Sequence, residues 1–184
     1  MGPTAATRAE RTAALPGDEL IGAPIVSLTH AVTLAAPPDR VWQWLAQMGA
    51  GRAGWYSYDR LDNAGVPSAE RIIPELARLR VGDVMPALPG ATDAFVVAAV
   101  DEPRHLVLGV PGPYGHRASW AFVLRPVPAG TRLLVRARVG RLLLNLPLVG
   151  TVTVPGPLAH AVAVPVHGIM QRRQLLGLRR RIEG

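Results

Sequence analysis

Cysteine is absent from the 184 residues, which excludes disulfides, thiolate metal ligation and a cysteine nucleophile, and suits a reducing, cytoplasmic setting. Lysine is absent as well: all twenty basic residues are arginine, a bias that reflects a GC-rich genome more than recognition chemistry. Aromatic residues supply only 5% of the chain, so any local cluster of them is informative. Acids are scarce in one half. Residues 1–102 hold eight arginines and twelve acids (net −4), whereas residues 103–184 hold twelve arginines and one acid (net +11).

Such asymmetry raises nucleic acid or an anionic membrane surface as partners. The arginines are spaced along strands without interleaved aromatics, so nucleic acid is not expected, and weak contact with an anionic membrane stays open. GxSxG, P-loop and GxGxxG patterns are missing, which leaves serine hydrolase, nucleotide-binding and Rossmann readings without support. The histidines lack metal-ligand spacing: His160 and His167 are seven apart, with no carboxylate between Glu102 and Glu183. No metal or other cofactor is expected.

What is present is an apolar fraction of 49%, enough for one continuous core at this length. Residues 1–22 carry mixed charge and no signal-peptide h-region, and read as a mobile N-terminal tail; residues 23–184 read as a single domain. From Ile25 to Leu34 the chain alternates, with Val26, Leu28, Val32 and Leu34 on one strand face. Pro38-Asp39 then starts a helix whose stripe is Val41, Trp44, Leu45 and Met48. A Gly- and aromatic-rich connection over 49–67 precedes a second helical piece, with Ser68 as its cap and Ile72, Leu76 and Leu79 as its stripe, which Pro74 makes short or two-part. Strands are predicted at Val84–Leu88, Phe95–Val100, Leu106–Val110, Ala118–Leu124 and Thr131–Val139. Residues 142–171 carry no formal charge, but Pro147, Pro155, Pro157 and Pro165 argue against a membrane span. A buried helix starting at Pro157 and kinked at Pro165 is the better reading, followed by a basic final segment from Met170 to Ile182.

The segments APPDRVWQWLAQMG, GRAGWYSYDRLDNAG, SAERIIPELARLRVGD, SWAFVLRP and MQRRQLLGLRRRIE together resemble the START-like, Bet v 1-type (SRPBCC) superfamily, and within it the polyketide cyclase/dehydrase-like subgroup. The resemblance spans about residues 25–139 and 157–183. It implies an α+β helix-grip fold: a curved antiparallel sheet of about six strands around a long C-terminal helix, with two short helices after the first strand and a cavity between sheet and helix. Fold does not choose a role. One expectation is binding of a hydrophobic lipid or polyketide-like metabolite in that cavity. A second is a cyclase/dehydratase-type acid–base enzyme without metal or covalent nucleophile, and a third is a peripheral membrane or partner-binding module using the basic half.

The densest set of functional groups is Trp55-Tyr56-Ser57-Tyr58-Asp59. Tyr58 beside Asp59 can polarise a carbonyl or move a proton in a dry pocket, and His30, in register with the apolar face of its strand, can act as a base. The structural alternatives are that Trp55 and Tyr56 plug one end of the grip, that Asp59 caps a helix or pairs with an arginine, and that His30 is a hydrogen-bonded core residue. Trp55, Tyr56, Trp120, Phe122, Leu124, His116 and Met170 are the candidate ligand-binding residues. Arg132, Arg136 and Arg138 share the strand face opposite Leu133, Val135 and Ala137, and are expected to be solvated.

Overall fold

The computed structural model describes residues 2–88, 94–140, 143–146, 150–153 and 156–184, without the side chains of 143–146, 150–153, 156, 158–160, 162 and 163. Pro147, Pro155 and the His160 side chain lie outside the described residues. Six strands, β1 (Val26–Leu34), β2 (Val84–Pro86), β3 (Ala94–Asp101), β4 (His105–Gly112), β5 (Gly115–Val127) and β6 (Gly130–Val139), form one antiparallel sheet of order β1-β6-β5-β4-β3-β2. The helices are α1 (Arg8–Thr12), α2 (Pro38–Ala46), α3 (Asp59–Asp62) and α4 (Gly156–Glu183). Among the described residues no helix is long and apolar enough to cross a membrane.

Cross-strand register explains the core. Leu28, Ala137, Trp120, Leu108 and Val97 fall in one row across five strands, and His30, Val135, Phe122 and Leu106 in the next. Because side chains alternate across a strand, both rows project to the same face, where Val135, Phe122, Leu106 and Leu108 are buried with Leu175, Leu178 and Ile182 of α4 and Val41 and Leu45 of α2. The sheet therefore grips α4 as the resemblance implies.

Four expectations are corrected. Residues 2–22 are not a free tail: Thr7 and Glu10 form a capping box at α1, Ala6 and Leu15 are buried against Ala31, Val123 and Leu134, and the segment covers the outer face of β1 and β6. The outer-face arginines are accordingly not solvated. Arg132 pairs with Glu10 (2.7 Å), Arg138 with Asp18 (3.0 Å), and Arg136 is only 4% exposed. The helix expected after Ser68 is also missing. Pro74 lacks the N–H that a continuing helix needs, and only a 3-10 turn, Pro74–Leu76, forms there; the one-turn α3 lies earlier, inside the supposed connection.

The helix expected from Pro157, finally, forms, but the uncharged stretch also holds a hairpin and this part of the helix is not buried. The hairpin, of β7 (Leu143–Leu146) and β8 (Gly150–Thr153), opens the stretch. Helix α4 follows, with Pro157 in its first turn and Pro165 inside it, and Val166 and Ile169 on this part of α4 are more than half exposed. The helix is anchored instead by its basic end, where Arg181 donates to Ala69 O (2.7 Å) and Ser68 O (3.2 Å) and lies over the Tyr56 ring at 5.0 Å.

Candidate functional site

The loop that follows α2 is held from beneath. Gln47 Nε2 donates to Tyr56 Oη (2.9 Å) and to Arg71 O (3.2 Å), Gln47 Oε1 accepts from Ile73 N (2.8 Å), and the Tyr56 hydroxyl donates to Trp44 O (3.1 Å). Tyr56 adopts φ 59°, a conformation uncommon for a residue with a side chain. Gly54, at φ 76°, packs its α-carbon against Ser68 so closely that a Cβ would collide. Ser68 Oγ in turn accepts from Tyr56 N (3.0 Å) and donates to Asp59 Oδ1 (2.5 Å). This frame sends Tyr56 into the core and leaves Trp55 and Ser57 facing the other way.

There they border a cavity of about 530 Å³ between the sheet and α4, whose lining includes Trp55, Phe95, Val110, Ala118, Trp120, Ala137 and Met170 and the polar residues Ser57, Asp62, Ser119, Arg138, His167, Gln171 and Gln174. Its aromatic wall is continuous: Trp120 stands 5.4 Å from Trp55, 5.5 Å from Phe95 and 4.8 Å from Phe122, centroid to centroid. Trp120 Nε1 donates to Gln171 Oε1 (3.0 Å), Gln171 Nε2 to Gln174 Oε1 (2.7 Å), and Gln174 Nε2 reaches Met48 Sδ at 3.7 Å. Trp55 Nε1 donates to Ala87 O (3.2 Å), and the Ser57 hydroxyl to Met170 O (3.2 Å). The space exists because Ala137 sits directly across from Trp120 in the register, so a methyl faces an indole.

The structure brings three of the sequence candidates together on this wall: Trp55, Trp120 and Met170. Phe122 and Leu124 are buried in the core beside Trp120, and Tyr56 is committed to Gln47 and Trp44. His116 lies in β5, paired with Pro111 and packed over Gly109. Tyr58 is 40% exposed and carries Arg173 over its ring at 5.7 Å, while Asp59 accepts from Ser68 at the start of α3; neither lines the cavity. His30 points inward and meets His167 of α4, ring centroids 5.8 Å apart. Burial lowers the proton affinity of both imidazoles, and that of His167 falls to about pKa 4, with the neighbouring His30 charge adding to the effect.

Asp62 is the residue that sequence reasoning missed. It is 5% exposed, it lines the cavity, and neither carboxylate oxygen completes a hydrogen bond among the described residues. Burial raises its pKa and the charge of Asp59 pushes it further; the Ser57 hydroxyl and the Tyr58 and Asp62 amides oppose this more weakly, without reaching hydrogen-bonding geometry. His167 Nε2 is likewise buried without a partner.

A buried, unpaired carboxylate disfavours folding once ionised. The folded state holds the Asp62 proton more tightly than the unfolded chain, so the penalty appears as pH rises above the ordinary value of 3.8 and is absent below it. Asp62→Asn is therefore expected to stabilise the protein by about 1 kcal/mol or more at pH 7, with the gain vanishing near pH 3. Urea titrations at the two pH values check this; a variant less stable than wild type at pH 7 would contradict it.

Solved structures share the fold. A crystal structure of a Mesorhizobium loti protein matches with TM-score 0.51 at 16% identity, over 86% of this chain and 97% of that one. A Chromobacterium violaceum protein matches with TM-score 0.51 at 14% identity, over 86% and 99%. A Nitrosomonas europaea protein matches with TM-score 0.50 at 17% identity, over 86% and 95%. No family model and no curated protein matches the chain. At these identities the likeness is one of fold: an unclosed antiparallel sheet that grips a long C-terminal helix.

Proposed function

We propose that the protein binds a hydrophobic small molecule in the cavity between sheet and α4. The observation that carries this reading is the cavity itself. A volume of about 530 Å³ is in the range of small-molecule sites, and its wall is aromatic and aliphatic with a few placed polar groups. Solid packing is the rule for protein interiors, and here Ala118 and Ala137 stand where larger side chains would have filled the gap.

The test is uptake of Nile red, a neutral apolar dye. It is expected to bind one to one with enhanced emission. Ala137→Trp, which fills the space opposite Trp120, is expected to weaken binding more than about tenfold, or ~1.4 kcal/mol, while circular dichroism stays native. No uptake by wild type, or uptake indifferent to the filled cavity, would reject the reading.

A second reading, acid–base catalysis on a carbonyl substrate, is favoured by one observation. Asp62 and His167 both border the cavity with unpartnered polar atoms, and burial moves their proton affinities towards each other, the carboxyl up and the imidazole down. Titratable groups with perturbed proton affinities that border one cavity are candidates for proton transfer. The catalytic proposal therefore rests on Asp62 and His167, with Tyr58, Asp59 and His30 behind them.

A further inference from the structure

We infer that the guest of this cavity is an aromatic or aliphatic amine, whose protonated nitrogen docks on Asp62 while its apolar body lies along Trp55, Phe95 and Trp120. The inference rests on the binding reading and adds the chemical class of the ligand.

It comes from following each polar group that borders the cavity to its partner. The side-chain amides of Gln171 and Gln174 are tied to Trp120, to each other and to Met48. The Ser57 hydroxyl is given to Met170 O. Arg138 turns its guanidinium to Asp18 under the N-terminal segment, so its charge serves the opposite face of the sheet. Among the described residues, three that border the cavity keep buried polar atoms without a partner: Asp62 through both carboxylate oxygens, His167 through Nε2 and Arg138 through Nε; the Arg138 charge is already matched by Asp18, so only Asp62 brings an unmatched charge. An ionised carboxylate only accepts, and two bare acceptor oxygens in an apolar wall call for a donor that brings charge.

The surroundings discriminate among guests. Among the described residues no arginine presents an unpaired guanidinium to the cavity, so a fatty acid or other anion would meet Asp62 with like charge and no counter-charge. A neutral alcohol can donate one hydrogen bond but leaves the carboxylate's charge uncompensated in a desolvated site. An ammonium group compensates it, and the faces of Trp55 and Trp120 add cation–π attraction to whatever part of the charge they see. The same guest would turn the stability penalty of Asp62 into binding energy.

Three matched probes separate the possibilities: 2-(1-naphthyl)ethylamine, 2-(1-naphthyl)ethanol and 1-naphthaleneacetate, titrated by calorimetry at pH 7 into wild type, Asp62→Asn and Asp62→Ser. Wild type is expected to bind the amine at least about tenfold tighter than the alcohol, the size of effect a charge-assisted hydrogen bond provides, and the acetate weakest. Both variants are expected to lose the amine preference while keeping the alcohol, whose retained binding reports an intact cavity. Equal affinity for amine and alcohol in wild type, a preference for the acetate, or an amine preference that survives in both variants would overturn the inference and leave the binding reading standing. Failure of all three probes together with Nile red would remove the binding reading itself.

Discussion

Arg136→Ala is expected to cost roughly 3–5 kcal/mol, the range for breaking a buried, fully bonded ion pair, and to free residues 2–22 from the sheet. Arg136 is 4% exposed, and each of its five N–H groups is placed: Nε on Thr29 Oγ1 (3.0 Å), Nη1 on Ala13 O (2.8 Å) and Asp18 Oδ2 (2.7 Å), and Nη2 on Glu10 O (2.9 Å) and Arg11 O (3.0 Å). Truncation leaves the carbonyls of Glu10, Arg11 and Ala13 without their donor and leaves Asp18 with only Arg138 and the Leu15 amide. Urea denaturation measures the loss. Limited proteolysis locates it, with cleavage within residues 2–22 expected to accelerate before the rest of the chain is cut. A loss below about 1 kcal/mol, typical of an exposed pair, would show that the segment is held without Arg136, by Ala6, Leu15 and the Arg132 and Arg138 pairs. Glu10 contributes in the same direction: Arg132 holds its pKa down to about 2, so its stabilisation is present above the ordinary value of 4.5 and is lost as pH falls towards 2.

The second large effect has a sign opposite to helix propensity. Alanine in place of a helical glycine ordinarily gains about 1 kcal/mol. At Gly177, however, the added methyl would drive into the backbone carbonyl of Tyr56, which is fixed by Gln47, Ser68 and Arg181 and cannot retreat as a flexible side chain would. Gly177→Ala is therefore expected to destabilise by about 1–3 kcal/mol and, because the displaced Tyr56 carbonyl belongs to the peptide that leads into Ser57 of the cavity lining, to weaken Nile red uptake as well. Gly168, in the same helix, has no atom within 4 Å of a Cβ position. Gly168→Ala is expected to be neutral or to stabilise by up to about 1 kcal/mol. Thermal denaturation of the pair compares the two directly; equal shifts would show that α4 does not bear on the Tyr56 peptide.

How far the sequence reached can be judged residue by residue. Alternation in β1, β5 and β6 was legible because a strand with one buried face writes its period into the chain, and the stripe of α2 was legible for the same reason at helical period. The aromatic run around Trp55 is the densest set of functional groups in the sequence, and Trp55, Trp120 and Met170 meet at one cavity wall. The carboxylate, by contrast, was assigned to Asp59. Both aspartates sit in one turn of α3, three residues apart, and nothing local says that Ser68 takes the first while the second faces the cavity. The N-terminal segment was misread for a related reason. Its capping signature, Thr7 with Glu10, was available in the sequence, but a five-residue helix is marginal alone, and what retains it is a row of arginines more than a hundred residues away.

The sequence by itself determined the periods of the main strands and of α2, because these follow from local burial pattern; the grip of sheet on helix was implied by the resemblance of its segments to a known superfamily. Tertiary structure alone decided which acid faces the cavity, that the outer arginines are covered, and that a small residue at 137 stands opposite a large one at 120. Those outcomes depend on register and packing between segments distant in the chain, and no local pattern encodes them.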